Sequence, residues 1–283
     1  MPNQRFKKFE RSQIPPRFRI GAIDLQILND LAAYRFLDTK QILNLHPDYT
    51  ARTVRSRLQL LFHSGYVERP IGQVSYYEHP HLIYSLAKKG AALVSQNEEL
   101  PLPVNKPKEM GISFMRHSLM ISDFKLALTA ALKNNSNFKF AAWKELGAID
   151  AVNCEGERLP IAPDAFFTIE SKDYLTHFFL EADRSTMTRE RMLNKFKGYW
   201  NWRLEEGQKR KLGIANFRVL TVCLSEERAE NLRQIAKKAG GGQTGSDMFW
   251  FGCAKSYGLE SPENILTPIW RSAKGESLRH LLE

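Results

Sequence analysis

Phe178-Phe179-Leu180-Glu181-Ala182-Asp183-Arg184 decides how the second half of this chain is read. An apolar run ends abruptly in two carboxylates spaced two residues apart. In a strand, that spacing sends both side chains to one side of the sheet. Upstream, Pro163-Asp164-Ala165-Phe166-Phe167 places a third acid at the start of an apolar stretch. Downstream, a basic segment with helical periodicity carries Lys195 and Tyr199. Three acids converging at strand ends would repel one another unless a cation joined them. Oxygen ligands of this kind suit Mg²⁺ or Mn²⁺, so Asp164, Glu181 and Asp183 are the candidate metal ligands. Such an ion polarises a scissile phosphate and activates a water. The alternative is three strand-end acids paired with Arg184, Lys195 or other cations.

Around that stretch the pattern predicts a long helix over 114–133, strands over 138–143, 161–169 and 177–181, and a helix over 187–205. A strand over 217–222, a helix over 226–239 and a last strand over 248–251 follow. Leu193, Phe196, Trp200 and Leu204 are the expected buried stripe of the 187–205 helix. That spacing leaves Trp202 as the freer ring, a candidate for stacking on bases. Gly240-Gly241-Gly242-Gln243-Thr244-Gly245 lacks the Lys-Ser/Thr of a phosphate-binding loop and reads as a turn. Residues 258–283 read as an irregular tail with one short helix at its end. Hairpin-connected strands followed by helical crossovers give a mixed sheet with helices on its faces.

The first third of the chain has a different character. Leu25, Leu28, Leu31 and Ala32 recur at helical spacing. Asp38 or Thr39 caps a second helix to His46, and Thr50 caps a third from Ala51 to His63, stopped by Gly65. In that third helix Ala51, Val54, Leu58, Leu61 and Phe62 share one face. Arg52, Arg55, Ser56 and Gln59 share the other, with no acid among them. Arg and Gln are the side chains that make bidentate contacts to guanine and adenine edges, so these four are the candidate DNA-binding residues.

Composition is that of an ordinary folded protein, with 43% hydrophobic and 25% charged residues. The net charge of +10 favours a polyanionic partner. It comes from two blocks: residues 1–19 hold six Lys/Arg against one Glu, and residues 184–211 hold nine against three. The first block reads as a mobile arm, either solvated or touching phosphate. No apolar run is long enough for a membrane span, and no secretory signal opens the chain, so the cytoplasm is the expected compartment. Cys154, Cys223 and Cys253 lack metal-ligand or disulfide spacing and read as buried thiols.

Three resemblances follow from these residues. Thr50-x-x-Thr53-Val54-x-x-Arg57-Leu58-x-x-Leu61, running into Gly65-Tyr66-Val67-Glu68-Arg69 and then Tyr84-Ser85-Leu86-Ala87-Lys88-Lys89-Gly90, resembles winged helix-turn-helix DNA-binding domains. The resemblance implies that the 51–63 helix enters the major groove of double-stranded DNA, beside a wing at 73–81. His79 and His81 are then either phosphate contacts or plain loop residues. Pro163-Asp164 with Glu181-Ala182-Asp183, in helix–strand–strand–strand–helix–strand order, resembles the PD-(D/E)xK nuclease superfamily. Lys195-x-x-x-Tyr199 resembles the helix motif of its RecB-like branch. That resemblance implies catalytic roles for Asp164, Glu181, Asp183 and Lys195. Position 183, where the superfamily carries lysine, holds an aspartate, and Lys195 is the candidate source of the missing positive charge.

The combination resembles the replication-relaxation family of plasmids and other mobile elements. It is carried by Arg116-His117, Pro163-Asp164-Ala165, Phe179-Leu180-Glu181-Ala182-Asp183-Arg184, Lys195 and Tyr199. His117 either lines the site or is a buried or capping residue. The expected fold class is α+β: a winged helix-turn-helix followed by a mixed α/β PD-(D/E)xK-like domain. The expected organisation is a basic arm (1–19), a winged helix (20–97), a proline-bearing linker (98–113), a nuclease-like domain (114–257) and a tail (258–283). Two functions are open. One is a DNA-binding protein acting in replication, relaxation, transfer or regulation of a mobile element, with a degenerate nuclease-like domain and other replication or transfer proteins as partners. The other is a Mg- or Mn-dependent DNA endonuclease targeted by the winged helix. Winged-helix proteins often bind as dimers, so a homodimer is allowed, although no heptad marks an interface.

Overall fold

Ala22 opens the first helix because Asp24 turns back on the chain, its Oδ2 accepting from the Gly21 N–H at 2.8 Å. In the computed structural model the described residues are 7–73, 81–95, 111–133, 135–145, 151–240 and 245–283. They form an α+β protein that divides into two compact units, residues 1–122 and 123–283. No helix among them is long and apolar enough to cross a membrane.

Unit 1 runs α1 (Ala22–Tyr34), β1 (Leu37–Asp38), α2 (Thr39–Leu45), α3 (Ala51–His63), β2 (Val67–Glu68), β3 (Ile83–Leu86) and α4 (Lys88–Val94). The strands form one antiparallel sheet in the order β1-β3-β2. Asp38 caps α2: it accepts from the Gln41 N–H at 2.8 Å while Gln41 Oε1 accepts from the Asp38 N–H at 2.9 Å, a reciprocal capping box. Thr50 caps α3, and Gly65, with φ of 81°, carries the chain out of it. A Cβ at Gly90 would overlap the Tyr66 carbonyl oxygen, so glycine is what lets α4 lie against that turn. The buried side of α1 is Ile23, Asp24, Ile27, Leu28, Leu31 and Tyr34, whereas Leu25 is exposed. The expected stripe was rotated by about one position, because the buried face includes a carboxylate that hydropathy assigns to the outside. Residues 74–80, most of the expected wing and His79 with it, lie outside the described residues, as do 96–110 of the expected linker.

The basic arm is docked rather than mobile over residues 8–19. Arg11 Nε donates to the Phe62 carbonyl at 3.1 Å, and its Nη2 donates to the Val67 carbonyl at 3.2 Å and to Glu68 at 2.6 Å. Arg69 donates to the Lys8 carbonyl, Arg57 donates to the Arg19 carbonyl, and Phe18 meets Tyr66 edge-on. Helix ends leave carbonyls without intrahelical partners, and Arg11 supplies one for the end of α3. The Ser12 N–H donates to His63 Nδ1 at 3.1 Å. Burial, with Arg69 and Arg11 nearby, holds this imidazole below its ordinary pKa, keeping it a neutral acceptor. Deleting residues 1–17 removes the Lys8, Arg11 and Ser12 partners and leaves Phe18 and Arg19; the lost bonds are partly exposed, so each counts at the low end, roughly 0.5 kcal/mol. We expect unit 1 to lose about 2 kcal/mol in urea unfolding; an unchanged midpoint would show that the docking is idle.

α5 (Ile112–Lys133) spans the division between the units. Its first half buries Met115 and Leu119 beside Phe36 and Ile83 in unit 1. Its second half belongs to unit 2, which continues with β4 (Phe138–Glu145), β5 (Ala165–Ser171), β6 (Leu175–Asp183), α6 (Arg189–Leu204), α7 (Gly207–Leu212), β7 (Arg218–Cys223), α8 (Glu226–Lys237), β8 (Phe249–Cys253), β9 (Trp270–Ser272) and β10 (Leu278–Arg279). These strands form one seven-stranded sheet in the order β10-β9-β8-β7-β6-β5-β4. β6, β7 and β8 are parallel, and the outer pairings are antiparallel. α6 and α8 cover one face, burying Phe196, Tyr199, Trp202 and Leu232 against Phe179, Val219 and Phe249. On the other face Phe167 stacks on Phe178 at 4.7 Å, and Phe124 of α5 packs against Phe167.

Three expectations are corrected here. The buried side of α6 is Met192, Lys195, Phe196, Gly198, Tyr199 and Trp202, while Leu204 is 64% exposed. Trp202 is therefore core, and the stacking role assigned to it fails; Trp200 is half-buried. Residues 258–283 are not an irregular tail. β9 and β10 extend the sheet, and the buried Arg233 guanidinium of α8 fixes the segment by donating to the Gly275 carbonyl at 2.7 Å and to Glu276 at 2.6 Å. Strands of three and two residues are too short to show a period of two. Of the three thiols, Cys223 and Cys253 are buried and Cys154 is exposed.

Candidate functional site

On α3, Val54, Leu58, Leu61 and Phe62 are buried, whereas Arg52, Arg55 and Ser56 are exposed and Gln59 is half-buried. Ala51, expected on the apolar side, is exposed. The residue that fixes this helix is Arg57, which sequence reasoning missed. Its guanidinium makes a two-pronged ion pair with Asp24 of α1, through Nε to Oδ1 at 2.8 Å and through Nη2 to Oδ2. Asp24 is wholly buried. The signal was present as an Arg one residue beyond the exposed face and an Asp inside the first turn of α1, but nothing local links positions 24 and 57.

In unit 2, β6 delivers Glu181 and Asp183 to the face covered by α6 and α8, as their two-residue spacing requires. The two then take different partners. Glu181 Oε2 accepts from Lys195 Nζ, and Oε1 accepts from the Tyr199 hydroxyl at 2.6 Å. Lys195 Nζ also donates to the Ala162 carbonyl at 3.0 Å. Burial pushes the Glu181 carboxyl up to about 7; Lys195 pulls it down and the Asp164 charge pushes it further up. Tyr199 is likewise raised by burial and by Glu181. Asp164 lies against the β6 backbone, its Oδ2 accepting from the Ala182 N–H at 2.7 Å. Asp183 faces Arg228 of α8, which donates Nε to Oδ2 at 2.8 Å and Nη2 to Oδ1 at 3.2 Å. Arg228 also donates to the Met187 carbonyl at 3.0 Å, tying α8 to the loop before α6. Arg228 too was missed, because it lies 45 residues from its partner, with no motif around it.

The structure thus brings Asp164, Glu181 and Lys195 together and diverts Asp183. Mg²⁺ needs oxygen ligands converging on one point at about 2.0–2.1 Å, with one or two carboxylates free to supply some of them. Here both oxygens of Glu181 and both of Asp183 are taken by the chain's own donors. Among the described residues no group of three or more His, Cys, Asp or Glu side chains is placed to hold a metal ion. The donor set does not fit the three-carboxylate metal site expected of Asp164, Glu181 and Asp183. The physical reason is that Lys195 and Arg228 supply the neutralising charge themselves.

Comparisons with known proteins bear on the chain as a whole. No curated protein matches it. A solved structure of the restriction endonuclease FokI aligns with a TM-score of 0.26 and 11% identity, over 77% of this chain and 40% of the FokI chain. This chain thus spans less than half of that one, and the likeness is too slight for fold or chemistry to be read across. The sequence model of the replication-relaxation family matches residues 28–216, about two thirds of the 283-residue chain, from α1 through the segment before β7. The match takes in α3, the Pro163-Asp164 turn, the acidic end of β6 and Lys195 and Tyr199 of α6, and on it this chain belongs to the replication-relaxation family.

Proposed function

We propose that this protein binds double-stranded DNA through α3 and acts in the replication, relaxation, transfer or regulation of a plasmid or other mobile element. On this reading unit 1 is a winged helix and unit 2 a nuclease-like domain that does not cut. Family membership supports the setting. The observation that carries the DNA-binding part is the outer face of α3, where exposed Arg52, Arg55 and Ser56 stand on a helix whose inner face is buried and ion-paired to α1. A rigid helix presenting arginine fits the major groove, where a good bidentate contact discriminates by about 1–3 kcal/mol. The order of three helices and a small antiparallel sheet accords with that mode.

Fluorescence anisotropy with a panel of duplexes tests the reading. Arg52→Ala and Arg55→Ala should each weaken binding to the preferred duplex by about 1–3 kcal/mol and flatten sequence preference. Isotherms that overlay the parent would remove α3 from the interface. The non-cutting part rests on the engaged oxygens of Glu181 and Asp183. Supercoiled plasmid incubated with the protein and Mg²⁺ or Mn²⁺ should stay supercoiled. Nicking that disappears in Asp164→Ala would establish the endonuclease alternative instead.

A further inference from the structure

β6, β7 and β8 run parallel, so their first residues lie together at the end of the sheet opposite Glu181 and Asp183. A cleft of about 360 Å³ opens there, lined by Tyr174, His177, Arg203, Asn216, Arg218 and Asp247 among others. That volume is in the range of small-ligand sites. Its floor is rigid. The Arg218 guanidinium lies over the Trp250 ring at 4.3 Å and donates to the carbonyls of Leu281 at 3.2 Å and Glu283 at 2.6 Å.

The charges of the cleft do not cancel. Asp247 and Glu283 border it, but Arg279 lies 3.6 Å from Asp247 and 2.9 Å from Glu283, and Lys274 lies 3.8 Å from Asp247. Arg218 faces both acids as well, so Arg203, whose guanidinium meets the neutral Asn216 amide, is the cation of the cleft that a phosphate can use. Arg203 holds the Asn216 side-chain oxygen at 3.2 Å, so an amide N–H₂ group stands beside the guanidinium. The rim is aromatic and apolar: Tyr174 and Leu175 are each 54% exposed. His177 is oriented by the Thr168 hydroxyl on Nδ1 at 2.9 Å and stacked on Phe166, and burial keeps it neutral, which leaves Nε2 for a ligand.

A guanidinium for phosphate, an amide and an imidazole for polar edges, and an exposed ring for a planar group are together the requirements of a nucleotide. We propose that this cleft binds a nucleoside monophosphate unit, with its phosphate at Arg203 and its base against Tyr174. The unit is either a free nucleotide or an unpaired nucleotide of a single strand. The site uses no residue of unit 1, so it stands apart from duplex binding by α3.

The experiment uses the full chain carrying Arg52→Ala and Arg55→Ala, so that loss of α3 contacts cannot imitate loss of the cleft. Binding of a short fluorescein-labelled oligothymidylate is followed by anisotropy, before and after adding Arg203→Ala or Tyr174→Ala. Tyr174→Ala should weaken binding by about tenfold, the loss expected of one stacked base, and Arg203→Ala by about the same factor through the lost charge-assisted bond to phosphate. Both side chains reach solvent, so the thermal midpoint should not move, and it serves as the folding control. Displacement of the label by thymidine monophosphate assigns a single nucleotide as ligand, and displacement only by unlabelled oligothymidylate assigns a strand. No binding by the starting protein, or isotherms of both variants that overlay it, would overturn the site.

Discussion

Arg57→Ala should destabilise unit 1 by about 3 kcal/mol, more than either arginine on the exposed face of α3. Asp24 is wholly buried, and Arg57 supplies its counter-charge through two hydrogen bonds. Removing one partner of a buried ion pair leaves an uncompensated charge, at a cost of roughly 3–5 kcal/mol. The low end applies because the Arg57 side chain is 22% exposed, so water can reach the vacated space. Arg57 also packs over Phe18 at 5.0 Å and holds the Arg19 carbonyl, so the same change loosens the docked arm. Urea unfolding of the parent, Arg57→Ala, and Arg57→Ala with Asp24→Asn separates charge from packing. The introduced asparagine keeps an oxygen for the Gly21 N–H and carries no charge, so the double variant should recover more than half of the loss. If it is no more stable than Arg57→Ala alone, the buried-charge account fails and lost packing explains the effect. DNA binding should follow stability through this series, since Arg57 sets where α3 stands and does not share its exposed face.

How far the sequence was readable depends on the range of the signal. The cap of α2, the start of α3 and the split of α3 into buried and exposed sides were legible, because capping and helical periodicity are written within a dozen residues. Glu181 and Asp183 falling on one side of the sheet was legible for the same reason, since strand alternation is local. What those acids meet was not. Lys195 was named as a nearby cation from a motif. Arg228 reaches Asp183 across a parallel strand and a helix, and no pattern in the sequence joins them. The same failure displaced the stripes of α1 and α6. Asp24 in the one and Lys195 in the other are buried charges, and hydropathy places such residues outside unless their partners are known. The segment 258–283 carries no local signal of its fold, because Arg233, which holds it, is another buried cation with partners far along the chain.

The chain repeatedly uses a long cation from a helix to close a polar group on a neighbouring element: Arg57 on Asp24, Arg228 on Asp183, Arg233 on Glu276 and the carbonyl of Gly275, and Lys195 on Glu181. At the end of β6 the device has a chemical consequence. A carboxylate held by guanidinium or ammonium is a poor ligand for a divalent ion until that cation leaves. A divalent ion would have to displace these internal pairs to reach the same oxygens.

Lys195→Met gives the sharpest measure of the Glu181 pair, because its effect should depend strongly on pH. Glu181 ionises near 4.5 when the chain is unfolded and near 7 when it is folded, burial being the main cause. Between those values the folded state binds more protons than the unfolded one. The stability from this group is therefore fully present below about 4.5 and is lost as pH rises through about 7. Lys195 limits that loss by pairing with the ionised form. With methionine in its place the carboxyl moves further up, and above neutrality the protein must bury an unpaired carboxylate or protonate it at a cost. At about pH 8 unit 2 should lose on the order of 3 kcal/mol relative to the parent. At about pH 5 Glu181 carries its proton, needs no counter-charge, and the substitution should be close to neutral. Urea unfolding at the two pH values reads the difference directly. Equal losses at both would mean that Lys195 contributes by packing and by its bond to the Ala162 carbonyl, and that Glu181 stays ionised in both proteins.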